Sequence, residues 1–517
     1  MPQQPTTGRP HRHVARRRVG LGAAVVTTLL LGLTSPAAAK GPKDDDKKHA
    51  TSCSVSGGYS GKDTVGSLYN VIDEIKGDKA WKKGHTGEGI DVALIDTGVV
   101  PVPGLDGADK IVHGPDFSVE SAHDEVRHLD TYGHGTHLAG IIAGNDVDAA
   151  TEKLDEDEFQ GVAPDARIVS VKVADHTGAV DVSQVIAAID WVVANRNTNG
   201  LNIRVLNLSY RVNSGHGYED DPLSLAVQNA WDNGIVVVVA AGNDGEETTS
   251  LPSPAKDPFV VTVSALSEKD QDKTNCLKGK PKWETTSWAS GADKHNRQPD
   301  VYVPGTTIVS LRNPGSMIDT AFPSSVIDER FTKATGTSQS AAVVSGAVAV
   351  LLDARPELTP DEVKAILLDT AKGKEALVDL DKAVKEKTPK KAEQEHRRSN
   401  GRGSLEVARG GQHLLVDGQP MVGETTLFGP WSPETWVDAS AAGAAWTGSS
   451  WTGSSWTGSS WTGSSWTGSS WTGSSWTGSS WTGSSWTGSS WTGSSWTGST
   501  WTGSTWTGSS WASAFWQ

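Results

Sequence analysis

Residues 89–96 (GIDVALID), 166–173 (ARIVSVKV), 203–209 (IRVLNLS), 235–242 (IVVVVAAG) and 259–265 (FVVTVSA) are short runs of apolar, mostly β-branched residues. They do not alternate with polar positions, as a strand with one wet face would. Uninterrupted runs of this length predict strands buried on both faces, as in a parallel sheet. Between them the pattern lengthens to a helical period. In VSQVIAAIDWVVANR the positions of Val185, Ile186, Ile189, Val192 and Val193 fall on one side of a helix. LSLAVQNAWDNG predicts a second helix that stops at Gly234, because glycine enters the left-handed C-terminal conformation without a Cβ penalty. TPDEVKAILLDTA predicts a third, with Thr359 as N-cap, Pro360 in the first turn and Glu362 placed to complete a capping box. Strand and helix in alternation predict an α/β fold: a doubly wound, mostly parallel sheet with helices on both faces.

The pattern breaks in three places. Residues 40–65 are polar and rich in Gly, Lys and Asp, which predicts a flexible lead-in. Residues 373–400 are densely charged and read as an exposed helix or a loop insertion. From Trp446 onward one unit, WTGSS, repeats almost without change. A period of five keeps the tryptophans on one side of neither a helix nor a strand.

Composition sharpens the picture at the N-terminus. Arg9, Arg12 and Arg16-Arg17-Arg18 precede an apolar stretch and then SPAAAK, with an Ala37-x-Ala39 cleavage pattern, so residues 1–39 read as an export signal. The apolar stretch is short for a span and has a cleavage pattern behind it, so no membrane span is expected after its removal. Arg17-Arg18 leaves the general and twin-arginine export routes both open. The whole chain carries a formal charge of −15, and removal of those arginines makes the rest more acidic still. An acidic balance favours solubility and argues against a nucleic-acid partner. Of the two cysteines, Cys53 and Cys276, two readings stand: a disulfide in an exported protein, or two free buried thiols.

Three segments carry reactive side chains where an open parallel sheet offers its ligand crevice, at the carboxyl ends of the strands. ALIDTGV puts Asp96 at a strand end. YGHGTHLAG supplies His134 before an apolar helical pattern, and TGTSQSAAVVSGAVAVLL supplies Ser338 at the start of a helix that is apolar nearly all round. Each alone has an ordinary reading: a turn-forming Asp, a structural His, a capping Ser. Together, DTG, GHGTH and GTSxxxxxxxG in this order resemble the signature blocks of the subtilisin-like serine peptidases, the subtilases. VLNLS (205–209) and AAGNDG (240–245) fall where the same resemblance requires, and the likeness runs from about Leu68 to Gly410.

That resemblance implies roles. Ser338 would be the nucleophile, His134 its general base and Asp96 the carboxylate that orients the imidazole. Asn243 would donate to the oxyanion, and Ser209 with Ala240-Ala241-Gly242 would line the pocket for the residue before the cut. His137 would be structural. The implied activity is a serine endopeptidase, with protein or peptide substrates bound as an added strand. Catalysis would require no cofactor. The acidic insertion 145–159 reads as a solvated loop rather than a calcium site, since it lacks ligand spacing.

The sequence departs from the family at Tyr210-Arg211-Val212, where Leu-Gly-Gly or a similar run usually follows the serine, at Ala342 in place of a proline, and at Gln339 and Ser340 beside the nucleophile. Residues 40–65 are too short and polar to fold as the inhibitory segment many relatives carry, so self-processing by that route is not expected.

The organisation expected is a signal (1–39), the lead-in (40–65), a peptidase domain (66–410), a linker or ancillary region (411–445) and the repeat tail (446–517). For the tail three readings compete: a flexible aromatic-studded chain, indoles that stack on a cell-envelope polymer, or stacked coils resembling pentapeptide repeats. The expected location is secreted, with retention at the cell surface through the tail. The competing function is a surface-binding protein with a degenerate peptidase domain, in which the tail carries the activity.

Overall fold

The structure is a computed structural model that describes residues 59–146, 153–245, 248–269, 282–291, 296–373, 375–447 and the short backbone strands between 450 and 508. The export signal, Cys53, Cys276 and part of the acidic insertion lie outside the described residues.

In chain order the elements are α1 (Leu68–Ile75), α2 (Gly77–Trp81), β1 (Asp91–Asp96), β2 (Ile111–Asp116), α3 (His134–Ala143), β3 (Arg167–Lys172), α4 (Val182–Asn195), β4 (Ile203–Leu208), α5 (Pro222–Asp232), β5 (Val236–Ala240), β6 (Val261–Glu268), β7 (Trp283–Thr285), β8 (Val301–Pro304), β9 (Ile308–Leu311), α6 (Met317–Ala321), β10 (Phe331–Ala334), α7 (Thr337–Ala354), α8 (Pro360–Thr370), α9 (Leu380–Lys385), α10 (Leu405–Ala408) and α11 (Pro433–Ala441). The five predicted strands correspond to β1, β3, β4, β5 and β6, and the three predicted helices to α4, α5 and α8. The capping box of α8 forms as expected, Thr359 with Glu362.

The sheet runs β2-β3-β1-β4-β5-β6-β7, with β8 also paired to β6. Every pairing is parallel except β6 with β7. The fold is therefore α/β, with seven parallel strands flanked by helices. α3 and α7 pack together, and α7 also lies across β4, β5 and β6; α4 and α5 pack on each other and on β1 and β5. β1 and β5 are buried along their whole length, which is why their sequences are continuously apolar. α7 is buried from Gln339 to Leu352. It is the one helix among the described residues long and apolar enough to cross a membrane, and it is instead the core helix.

The topology places the crevice. After β1 the chain fills one side of the sheet with β2 and β3, then crosses to the other with β4. The order switches beside β1, so the ligand crevice of such a sheet is expected at the carboxyl ends of β1 and β4.

Both flanking regions pack on this core. Tyr59, near the end of the lead-in, sits 4.6 Å ring to ring from Phe331 and 6.1 Å from Phe159, and its amide donates to Asp328. Residues 405–446 lie against α4 and α5. Trp436 Nε1 and Ser440 Oγ both donate to the buried Asp190 at 2.7 Å, and Arg409, fully buried, pairs with Asp181 at the N-cap of α4. The first tryptophan of the repeat, Trp446, stands edge-on to Phe117 at 5.2 Å. Further along, short strands pair in parallel four repeat units apart: Trp461 opposite Trp481, and Trp481 opposite Trp501. The side chains beyond Trp446 lie outside the described residues.

Candidate active site

Asp96 ends β1 at the carboxyl edge of the sheet, and His134 opens α3 beside it. His134 Nδ1 and Asp96 Oδ1 are 2.8 Å apart, with side-chain exposures of 24% and 6%. The same carboxylate oxygen accepts from the Thr97 amide at 2.8 Å. An ionised carboxylate can only accept, so the proton sits on Nδ1 and Nε2 keeps its lone pair. Burial alone pulls the His134 pKa down, but the charge and hydrogen bond of Asp96 outweigh it, and the net shift is upward.

A second carboxylate, which the sequence reading did not single out, fixes the start of α3. Gly133 has no side chain with which to cap the helix. Asp130, 2% exposed, does so from three residues upstream: it accepts from the amides of Gly133 (2.7 Å) and Thr136 (2.8 Å) and from Thr97 Oγ1 (2.6 Å). Thr97 Oγ1 in turn accepts from the Gly135 amide. The end of β1 and the first turn of α3 are thus tied together next to the Asp96–His134 pair. The signal was a carboxylate just before the helical pattern, in DTYGHGTH, but an Asp before a helix is common enough to pass as an ordinary cap.

His137 lies one turn further along α3 and does not join the pair. It is buried, and neither ring nitrogen makes a hydrogen bond, although the carbonyls of Ile308 and Thr332 are close. Burial, with the nearby His134, pushes its pKa down to about 3, so it stays neutral at any ordinary pH.

Ser338 follows Thr337 at the N-terminal end of α7. α7 packs on α3, the helix that His134 opens. Among the described residues no hydrogen bond joins Ser338 to His134. Such contacts are commonly long without substrate and shorten in the complex.

Asn243 is oriented by its neighbour. Its Oδ1 accepts from both the amide and the hydroxyl of Thr337 at 3.0 Å, which turns Nδ2 outward. Thr337 Oγ1 also accepts from the Gly242 amide. Nδ2 of Asn243 and the amide nitrogen of Ser338 lie 3.4 and 3.7 Å from the point where Gly336 would carry a Cβ. Both nitrogens therefore lie near one point beside Gly336, with the Gln339 side-chain oxygen closer to it at 2.8 Å. Thr337 was not anticipated either, since a buried threonine at a helix start has no distinctive sequence signal.

Ser209 follows β4 and donates its hydroxyl to Asn207 Oδ1 at 3.3 Å. Gly242 has a φ of 105°, and a Cβ there would lie 2.7 Å from Ser290 Oγ. Tyr210-Arg211-Val212 fills the region where Leu-Gly-Gly or a similar run is usual in the family. Val212 bridges to Ser253, and Arg211 reaches Asp244 at 2.7 Å, joining the loop after β4 to the loop after β5. No group of three or more His, Cys, Asp or Glu among the described residues is placed to hold a metal ion. Asp146, in the described part of the acidic insertion, is engaged by Arg330.

Comparison with known proteins bears on the same region. Residues 87–403 match the sequence profile of the subtilase family, Peptidase_S8. Serine protease AprX of Bacillus subtilis (strain 168) is 32% identical over 54% of this chain and 61% of its own length. Minor extracellular protease Epr of the same organism is 33% identical over 39% of this chain and 27% of its own. Its major intracellular serine protease is 30% identical over 56% of this chain and 76% of its own. The chain thus spans about three fifths of AprX and a quarter of Epr, and its relatives include both extracellular and intracellular enzymes.

Proposed function

Because the chain belongs to the subtilase family of serine peptidases, we propose that it is an exported endopeptidase that cleaves proteins through an acyl-enzyme on Ser338. The observation that carries the proposal is the 2.8 Å hydrogen bond between His134 Nδ1 and Asp96, with Asn243 Nδ2 and the Ser338 amide nitrogen both near Gly336. Ser338 Oγ attacks the peptide carbonyl as His134 Nε2 takes its proton. The carbonyl oxygen becomes an oxyanion and meets these two donors. Collapse breaks the C–N bond, and His134 gives the proton to the departing amine. Water, deprotonated by the same imidazole, then hydrolyses the ester and restores Ser338. Asp96 stays ionised throughout and stabilises the imidazolium. Ser209 and the 240–242 strand end border the pocket for the residue before the cut.

Export rests on the N-terminal charge and cleavage pattern, and retention at the envelope on the regular tryptophans of the tail. One experiment reads all of this. Culture fractions of wild type should hydrolyse an unfolded protein substrate and those of Ser338→Ala should not. Asn243→Ala should lower kcat roughly 10²–10³-fold, a magnitude established on a subtilisin itself. Deletion of 447–517 should move the activity from envelope to medium. Equal hydrolysis by Ser338→Ala would defeat the peptidase assignment; unchanged retention would defeat the role given to the tail.

A further inference from the structure

We infer that the connection 312–330 is the wall that reads the residue after the cut, with Ile318 and Phe322 selecting a large apolar side chain there; the inference rests on the peptidase assignment above. β9 and β10 form an antiparallel pair, Leu311 opposite Phe331, so the chain leaves the pair at 312 and returns at 330. Most hairpin connections take about 2–5 residues. This one is far longer and is well braced. Arg312 holds Asp319 through two bonds of 2.5 and 3.1 Å, the Gly315 amide donates to the same carboxylate, and Ser316 caps α6.

The braced segment is bonded to the residues leading into the catalytic histidine. The amides of Met317 and Ile318 donate to the carbonyls of Thr131 and Tyr132, each at 3.0 Å, and Asn313 Nδ2 donates to the Asp130 carbonyl. Between them lies Gly133, with a φ of 105°. A Cβ there would come within 2.5 Å of Ser316 Oγ and 3.4 Å of Ile318 Cβ. A glycine directly before His134 is what lets α6 approach so closely.

The chemistry says which part of the substrate this wall meets. The acyl oxygen points to Asn243 and the Ser338 amide, whereas the leaving amine must sit beside the group that protonates it, His134. The residue after the cut therefore emerges on the histidine's flank, where α6 stands. The Phe322 amide bonds back to the Ile318 carbonyl at 2.9 Å, so these two side chains share one face of the turn. Phe322 is 56% exposed, and Ile318 is partly buried. The nearest carboxylate on this helix, Asp319, is neutralised by Arg312. An apolar, uncharged surface at this position favours an apolar leaving residue and gives a glycine nothing to contact.

The test uses the full chain and pairs of internally quenched peptides that share one acyl half and differ only after the cut, Leu in one and Gly in the other. A chromogenic ester of the same acyl half, with no amino acid in its leaving group, reports the peptidase chemistry alone. Wild type should hydrolyse the ester and prefer Leu over Gly in kcat/KM by about tenfold. Ile318→Ser with Phe322→Ser should bring that ratio near one, and Phe322→Leu should keep most of it. A wild type that hydrolyses the ester but cuts the Leu and Gly peptides equally overturns this inference alone. So does a double variant that keeps the full ratio. A folded wild type that cleaves neither ester nor peptide overturns the peptidase assignment and this inference with it.

Discussion

In the proposed mechanism Asp96 acts on the rate through the state in which it holds one ring. Its charge raises the His134 pKa above the usual histidine value against the opposing pull of burial. A base must be neutral to act, so kcat/KM should rise with pH through that raised value. Asp96→Asn removes the charge and leaves the burial: the acid limb should move to lower pH while kcat falls by roughly 10⁴-fold. A pH–rate profile of the variant reads both, and an acid limb that stays put or moves upward would contradict the account. The three residues proposed for this chemistry stand in short, ordered motifs, and the structure joins two of them, Asp96 and His134. Asp130, Thr97 and Thr337 were not legible in the sequence. They act by capping backbone amides or turning another side chain, and a buried Asp or Thr near a helix start looks the same whether it serves a site or only a helix.

At the level of elements, the apolar runs gave the buried strands because β1, β3, β4, β5 and β6 need both faces dry. β2 was missed: His113, Gly114 and Pro115 interrupt it, and as an edge strand it can tolerate them. The region 411–445, expected as a linker or ancillary region, was opaque for another reason. α11 is short, and what holds the segment is not a periodic stripe but contacts remote in sequence: Trp436 and Ser440 with Asp190, and, just ahead of the segment, Arg409 with Asp181, both fully buried. Arg409 Nη1 and Nη2 also donate to the carbonyls of Gly423 and Thr425, so one guanidinium joins α4 to the following hairpins. Removing one partner of a buried pair strands the other charge. Arg409→Ala should therefore cost about 3–5 kcal/mol of stability, read from the shift in urea unfolding. A loss below about 1 kcal/mol would show that the docking of this segment does not depend on the pair.

On the scale of the whole molecule, the Asp96–His134 pair sits at one edge of a sheet whose core is buried on both sides, and the additions are attached around it. Tyr59 anchors the chain on entry, 405–446 covers α4 and α5, and Trp446 rests on Phe117 where the repeat begins. The repeat carries only hydroxyls, glycines and indoles, so it holds no acid or base for peptide hydrolysis. The division of labour proposed here, chemistry at Ser338 and placement by the tail, is tested most directly at the nucleophile. Full-length protein is treated with a fluorophosphonate probe, and the modified peptide is identified by mass spectrometry. The account predicts a single adduct on Ser338, lost in Ser338→Ala and formed far more slowly in His134→Ala. A folded wild type with no adduct at Ser338, or labelling that persists undiminished in Ser338→Ala, would contradict it.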